Sequence, residues 1–257
     1  MRLGLALSGG AVRGAAHVGA LMALENAGLR PAFIAGTSIG ALVGALYAAG
    51  HPAGDLAEVF AEIGWSSLLG PSLPRKLSLF DVKPMERLLG ERFQLTTFEA
   101  LEIPFAAVAC DITAGEEVVL RDGDLTSAVL ASCALPGVFP PVERGDRLLV
   151  DGGVVNNLPI DVVRRMGADT VIAIDLLPAW RALGAPESLF EVWERSITLL
   201  IQGNQRAQTP AEVTVQPALA AFSFTDFDPV EEMITLGRQA TELALARAGL
   251  GSGHGRV

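Results

Sequence analysis

The chain has 257 residues, half of them hydrophobic, and a formal net charge of −10 at neutral pH. That balance excludes a binder of phosphate backbones, which needs a Lys/Arg excess, and it opposes standing adsorption to anionic lipid. Two cysteines in apolar runs, Cys110 and Cys133, and three scattered histidines read as buried thiols without a disulfide framework, and they provide no zinc set. No metal, cofactor or nucleic acid is expected.

The start, "MRLGLALSGGAVRGAAHVGAL", superficially resembles a signal peptide. Its apolar run is broken by Gly9, Gly10 and Arg13, and no cleavage site follows. Residues 2–8, "RLGLALS", read as a fully buried strand, followed by a glycine-rich loop and a helix from about Gly14 to Ala27. The stretch between Arg30 and Asp55 carries no charge. Pro31, Thr37, Ser38 and the interspersed glycines argue against a membrane span and for a strand, "AFIAG", a turn, and a helix to about Ala49. Gly40, Gly44 and Ala48 share one face of that helix, so it is expected to pack closely at the centre of the fold.

"GDLAEVFAEIG" is a further helix. Residues 65–82 lack a clean period and mix Trp65, Leu68, Leu69, Leu73, Leu77, Leu79 and Phe80 with prolines, as a surface cap does. "KPMERLLGERF" reads as a short helix, "IPFAAVACDI" and "EEVVLRD" as strands, and "LTSAVLASCAL" as a helix. "RLLV" is a strand that delivers Asp151. Then come a helix "PIDVVRRMG", a strand "DTVIAIDLL", a long helix "PESLFEVWERSITLLIQGNQ", a strand "AEVTVQP" and a helix from Pro229. Strands alternating with helices imply a mainly parallel sheet covered on both faces, in a single domain over residues 1–250 with a flexible tail at 251–257. Sites in such sheets lie beyond the carboxyl ends of strands.

Three features fall at such ends. Ser38 stands in Gly36-Thr37-Ser38-Ile39-Gly40, a G-x-S-x-G pattern at a strand-to-helix turn. The flanking glycines remove side chains that would collide, which leaves the hydroxyl exposed at a helix N-terminus. "SGGAVRG", after the first strand, offers the amides of Gly9 and Gly10 for an oxyanion, with Arg13 adding positive charge. The glycine spacing does not match a dinucleotide fingerprint, and the Gly-Lys-Ser/Thr of a mononucleotide loop is absent. Asp151 ends a strand before Gly152 and Gly153, where a solvated Asp-Gly turn is the plain alternative.

The histidines limit the chemistry. His254 lies in the tail, and His51 lies at the far end of the Ser38 helix. His17 is near the glycine loop, as its support or, less favoured, as a base. A carboxylate acting directly on the serine fits better. An aspartate is a poor base at its ordinary pKa of roughly 3.9, so apolar walls are needed to raise it. The 65–82 segment and the region of Trp180, Phe190 and Trp193 are candidates for those walls.

In order, "GGAVRG", "GTSIG" and "DGG", together with "ALPGVFPPV", "NNLPID" and "DTVIAIDL", resemble the patatin-like phospholipase family over most of the chain. The resemblance implies a three-layer α/β/α fold and hydrolysis of lipid acyl esters by a Ser-Asp dyad: Ser38 as nucleophile, Asp151 as base, and Gly9, Gly10 and Arg13 as the oxyanion loop. It implies a lipid or ester substrate. The rejected signal peptide and membrane span lead to the expectation of a cytoplasmic protein, with any membrane-surface contact peripheral, transient and made through the apolar cap at 65–82. A catalytically silent scaffold with this fold, or an acyltransferase, are the alternatives.

Overall fold

The computed structural model describes residues 2–62, 70–75, 78–177, 184–205, 210–224 and 228–250. In chain order the elements begin with β1 (Leu3–Leu7), α1 (Ala15–Asn26), β2 (Phe33–Thr37), α2 (Ile39–Ala48) and α3 (Ala53–Glu62). They continue with β3 (Gly70–Arg75), β4 (Ser78–Asp81), α4 (Lys83–Arg87), β5 (Phe105–Asp111), β6 (Glu116–Leu120) and α5 (Leu125–Ser132). The last are β7 (Val142–Arg144), β8 (Arg147–Asp151), α6 (Ile160–Met166), β9 (Thr170–Ile174), α7 (Leu189–Gln205), β10 (Val213–Val215) and α8 (Val230–Arg247).

Among the described residues, eight strands form one sheet in the order β10-β9-β1-β2-β5-β8-β7, with β6 also paired to β5. β3 and β4 form a separate hairpin. Pairing is parallel from β10 through β5 and antiparallel for β6, β8 and β7.

The strands sort their side chains by size. Leu3, Leu5, Leu7, Ile34, Phe105, Ile172 and Ile174 face α1, α2, α3, α5 and α8 in the main core. Ala6, Ala35, Ala106, Val108, Val171 and Ala173 face the short α6. Period-2 alternation therefore builds one deep helical layer and one thin one. Each fully buried leucine in the deep layer contributes about 1.5–3 kcal/mol. α2 is buried at every residue from Ile39 to Ala48, as its small-residue faces predict. No described helix is long and apolar enough to cross a membrane.

One topological detail positions the site. Val108 pairs with Thr37 of β2 and with Val119 of β6, while the next residue, Ala109, pairs with Asp151 of β8 and Val118 of β6. A strand has two edges, so β2 and β8 share the edge of β5 opposite β6. β2 runs parallel to β5 and β8 antiparallel, so their carboxyl ends meet head to head at Thr37 and Asp151. The expected parallel sheet is thus modified where it matters: Asp151 reaches the site by running against β5.

β7 is a further departure, a three-residue strand that the sequence does not announce. The segment at 65–82 contributes the β3–β4 hairpin, with Leu79 66% exposed. Trp65, Leu68, Leu69, Leu77, Trp180 and the tail at 251–257 lie outside the described residues.

Candidate active site

Ser38 follows the last residue of β2 and caps α2. Its backbone sits at φ 55°, ψ −127°, a conformation that L-residues rarely adopt and that costs about 1–3 kcal/mol. The flanking glycines are obligatory for it. A Cβ on Gly36 would lie 2.3 Å from the Gly40 carbonyl oxygen, and one on Gly40 would lie 2.3 Å from the Leu7 oxygen and 2.6 Å from the Ser8 oxygen. The Ser38 carbonyl accepts from the amides of Ala41 (2.8 Å) and Leu42 (3.1 Å), which starts α2. Its hydroxyl makes no capping bond and stands close enough to the Asp151 carboxylate to favour that group's ionised form.

Asp151 is 3% exposed. The Gly153 amide donates to its Oδ1 at 2.8 Å, and its own amide donates to the Ala134 carbonyl at 2.9 Å. Burial pushes its pKa up to about 6, against the opposing effects of the Ser38 hydroxyl and the Gly153 amide. The carboxyl is thereby basic enough to take a proton near neutrality, which a free aspartate is not.

The glycine loop lies against Ser38: a Cβ on Gly9 would be 3.2 Å from the serine Cβ. Two of its expected donors are engaged elsewhere. The Gly9 amide donates to the Asn157 carbonyl at 3.1 Å. Arg13 is buried and donates from Nε (3.0 Å) and Nη2 (2.5 Å) to the Phe222 carbonyl, with its guanidinium 4.8 Å above the Phe224 ring centroid. Arg13 clamps the loop to residues 222–224. Among the described residues the Gly10 amide has no protein acceptor, which leaves it available as a donor.

His17 is fully buried, and its Nε2 lies 2.8 Å from the Ser8 carbonyl oxygen. A carbonyl only accepts, so Nε2 carries the proton. Burial lowers the ring's pKa to about 4, opposed by that backbone bond. A neutral imidazole aimed at the loop backbone supports the loop and is not a base for Ser38. His51, at the other end of α2, stacks edge-on with Phe93 at 5.3 Å.

Three residues that the sequence reading did not single out complete the frame. The Ser132 hydroxyl accepts from the Ser38 amide at 2.9 Å and donates to the Val108 carbonyl at 2.6 Å. Asn157 accepts from Gly9 through its carbonyl, and the neighbouring Asn156 carbonyl accepts from the Thr37 hydroxyl at 2.8 Å. An isolated serine in an Ala-rich helix carries no local signal. "NNLP" is visible as a pattern, but nothing near it in sequence shows that it ties β2 to the loop.

One apolar wall stands beside these groups. Leu177, Ile201 and Phe224 pack together with Ala11 and Ile197. The Ile201 side chain comes within 3.5 Å of where a Gly153 Cβ would lie. α7 is pinned over the Asp151 turn by Asn204, which donates to the Val154 carbonyl at 2.7 Å. Away from this wall α7 carries Leu189, Val192, Leu199 and Leu200, 86%, 47%, 49% and 63% exposed.

Comparison with known proteins fits this arrangement. The family model described as patatin-like phospholipase matches residues 5–164. The chain is 41% identical over 181 residues to patatin-like phospholipase domain-containing protein 6 of Mus musculus, covering 68% of this chain and 13% of that protein. It is 32% identical over 276 residues to an uncharacterized NTE family protein of Mycobacterium bovis, covering 95% of this chain and 46% of that protein. The chain thus spans less than half the length of these relatives. Among solved structures, VipD from Legionella pneumophila superposes with a TM-score of 0.58 at 13% identity, over 96% of this chain and 67% of that one. A chain of the ExoU–SpcU complex of Pseudomonas aeruginosa gives 0.51 at 17% identity, over 96% and 52%. At these identities the likeness is one of fold.

Proposed function

This chain belongs to the patatin-like phospholipase family, and we propose that it hydrolyses acyl esters of lipids with Ser38 as nucleophile and Asp151 as general base. The observation that carries this reading is the meeting of the β2 and β8 carboxyl ends on one edge of β5, which brings Ser38 to a buried carboxyl whose pKa is raised to about 6. The Ser38 oxygen attacks the ester carbonyl carbon while its proton passes to Asp151. The carbonyl oxygen becomes an oxyanion beside the Gly10 amide and the N-terminus of α2, where unpaired amides and the helix dipole favour negative charge. The C–O bond then breaks, and Asp151 returns the proton to the departing alcohol. Water attacks the acyl-serine with Asp151 again as base, which frees the fatty acid and restores the hydroxyl.

Because Asp151 acts in its ionised form, kcat/KM for a soluble p-nitrophenyl ester rises with pH through about 6 and levels off above it. A limb near pH 4 contradicts the raised pKa of Asp151, and a profile with no acidic limb removes Asp151 as the base. A fluorophosphonate probe tests the nucleophile directly. Peptide mapping places the label on Ser38, and absence of labelling in the wild type favours a silent scaffold. Products formed with added lysolipid or glycerol separate hydrolysis from acyl transfer.

The wall of Ile197, Ile201, Leu177 and Phe224 suits an acyl chain, and the outward leucines of α7 suit transient contact with a lipid surface. Leu199→Glu together with Leu200→Glu lowers turnover of zwitterionic phospholipid vesicles by about tenfold and leaves soluble short-chain esters within about twofold. Equal loss on both substrates overturns the surface role.

A further inference from the structure

The residues at the end of α5 touch both members of the proposed pair through the main chain. The Ser132 hydroxyl receives the Ser38 amide at 2.9 Å, and two residues later the Ala134 carbonyl receives the Asp151 amide at 2.9 Å. Ser132 is fully buried, and both hydrogen bonds of its hydroxyl go to the main chain. Its proton goes to the Val108 carbonyl at 2.6 Å. That carbonyl belongs to the β5 residue opposite Thr37, and it lies 2.3 Å from where a Cβ on Gly152 would stand. A single hydroxyl therefore links the turn that carries the serine, the strand on whose edge the pair meets, and the helix end that holds the aspartate.

The Ser38 backbone needs such a link. It is held at φ 55°, where a serine does not rest by preference, and strained backbones persist only where surrounding contacts over-determine them. On the helical side, the Ala41 and Leu42 amides fix the Ser38 carbonyl. On the strand side, the Thr37 hydroxyl is fixed to Asn156. Between them the Ser38 N–H has Ser132 as its acceptor. Removing that acceptor leaves a partly buried donor unpaired, and rotation of the peptide is the available relief.

We infer that Ser132 is a positioning residue that holds the strained Ser38 peptide and thereby aims the Ser38 hydroxyl at Asp151. The inference rests on the proposed roles of Ser38 and Asp151. The Ser132 hydroxyl bonds the Ser38 amide and the Val108 carbonyl, so it acts through the Ser38 amide. A displacement of about 1 Å in a reacting group costs on the order of 100-fold in rate.

The test compares wild type, Ser132→Ala and Ser132→Thr, using fluorophosphonate labelling rate, kcat and KM on a p-nitrophenyl ester, the pH profile of kcat/KM, and melting temperature. In Ser132→Ala, kcat and the labelling rate fall about 10- to 100-fold with KM little changed. The acidic limb also moves to higher pH, because the Ser38 hydroxyl, which lowers the Asp151 pKa, is turned away. Ser132→Thr keeps the hydroxyl and restores the limb and most of the rate. A merely structural role changes melting temperature and the fraction of active protein, and leaves the limb where it was.

Labelling and kcat in Ser132→Ala within about threefold of wild type, with the melting temperature reporting a folded protein, overturns the inference. So does a rate loss with an unmoved limb. If the threonine variant does not fold, the limb of the alanine variant alone decides. If wild-type Ser38 takes no label, the proposed function fails first, and that outcome is distinct from either of these.

Discussion

Ser38→Ala and Ser38→Gly both lose turnover on the order of 10⁴-fold or more, yet the glycine variant melts at the higher temperature. The activity loss follows from removing the oxygen that forms the acyl intermediate, since among the described residues Ser38 carries the hydroxyl that stands against Asp151. The stability order is less ordinary. Neither variant keeps the hydroxyl beside the carboxylate, so the comparison isolates the backbone. At most positions glycine is the less stable of the two, by roughly 0.5–1 kcal/mol, because the unfolded chain has more freedom to lose. At φ 55°, ψ −127° the alanine Cβ retains the steric penalty of about 1–3 kcal/mol, and glycine does not. The net advantage to glycine is on the order of 1 kcal/mol, or about 2–4 °C for a chain of this size. Thermal melts of the two proteins check it. An alanine variant that melts above the glycine variant contradicts the strain, and an alanine variant that keeps more than about 1% of the activity contradicts the nucleophile.

The parts of this site that are legible in the sequence are those whose chemistry is local. Gly36 and Gly40 flank Ser38 because backbone must pass within a van der Waals contact on both sides, and the close approaches of 2.3 Å to Cβ positions are that requirement made concrete. Asp151 is legible as a strand end before two glycines. Its approach to Ser38 is not, because that depends on β2 and β8 sharing one edge of β5, a long-range pairing that no window of residues encodes. The loop shows the same limit. Gly9 and Gly10 are alike in sequence, and only the Asn157 carbonyl, 148 residues away, distinguishes the engaged amide from the available one. Arg13 in a glycine loop suggests charge for a substrate. The Phe222 carbonyl and the Phe224 ring, brought over it by the packing of the last third of the chain, give it an anchoring task. His17 is decided by its surroundings in the same way: full burial holds it neutral, and the Ser8 carbonyl fixes its proton.

Asp151→Asn separates the role of the carboxylate in activity from its effect on stability, and the two effects have opposite signs. Turnover falls by about 10³–10⁴-fold, on the scale of losing the general base that activates a nucleophile, because asparagine keeps an oxygen for the Gly153 amide but takes no proton from Ser38. Stability at neutral pH rises. The carboxyl's pKa lies near 6 in the folded chain and at its ordinary 3.8 when unfolded, so the folded state binds the proton more tightly. That contribution is fully present below about pH 3.8 and is lost as pH rises through 6. Above it the wild type carries the cost of a buried charge, and the difference of about two pKa units corresponds to roughly 2–3 kcal/mol. The melting temperature of Asp151→Asn therefore matches wild type near pH 4 and exceeds it at pH 8, with the gap opening between. A gap that is constant with pH means that Asp151 does not titrate in this window, and the mechanism loses its base. Full activity in Asp151→Asn together with its loss in His17→Ala moves the proton to the imidazole instead. The buried Nε2–Ser8 bond at 2.8 Å argues against that outcome, since the imidazole would have to leave the loop it supports before it could reach the serine.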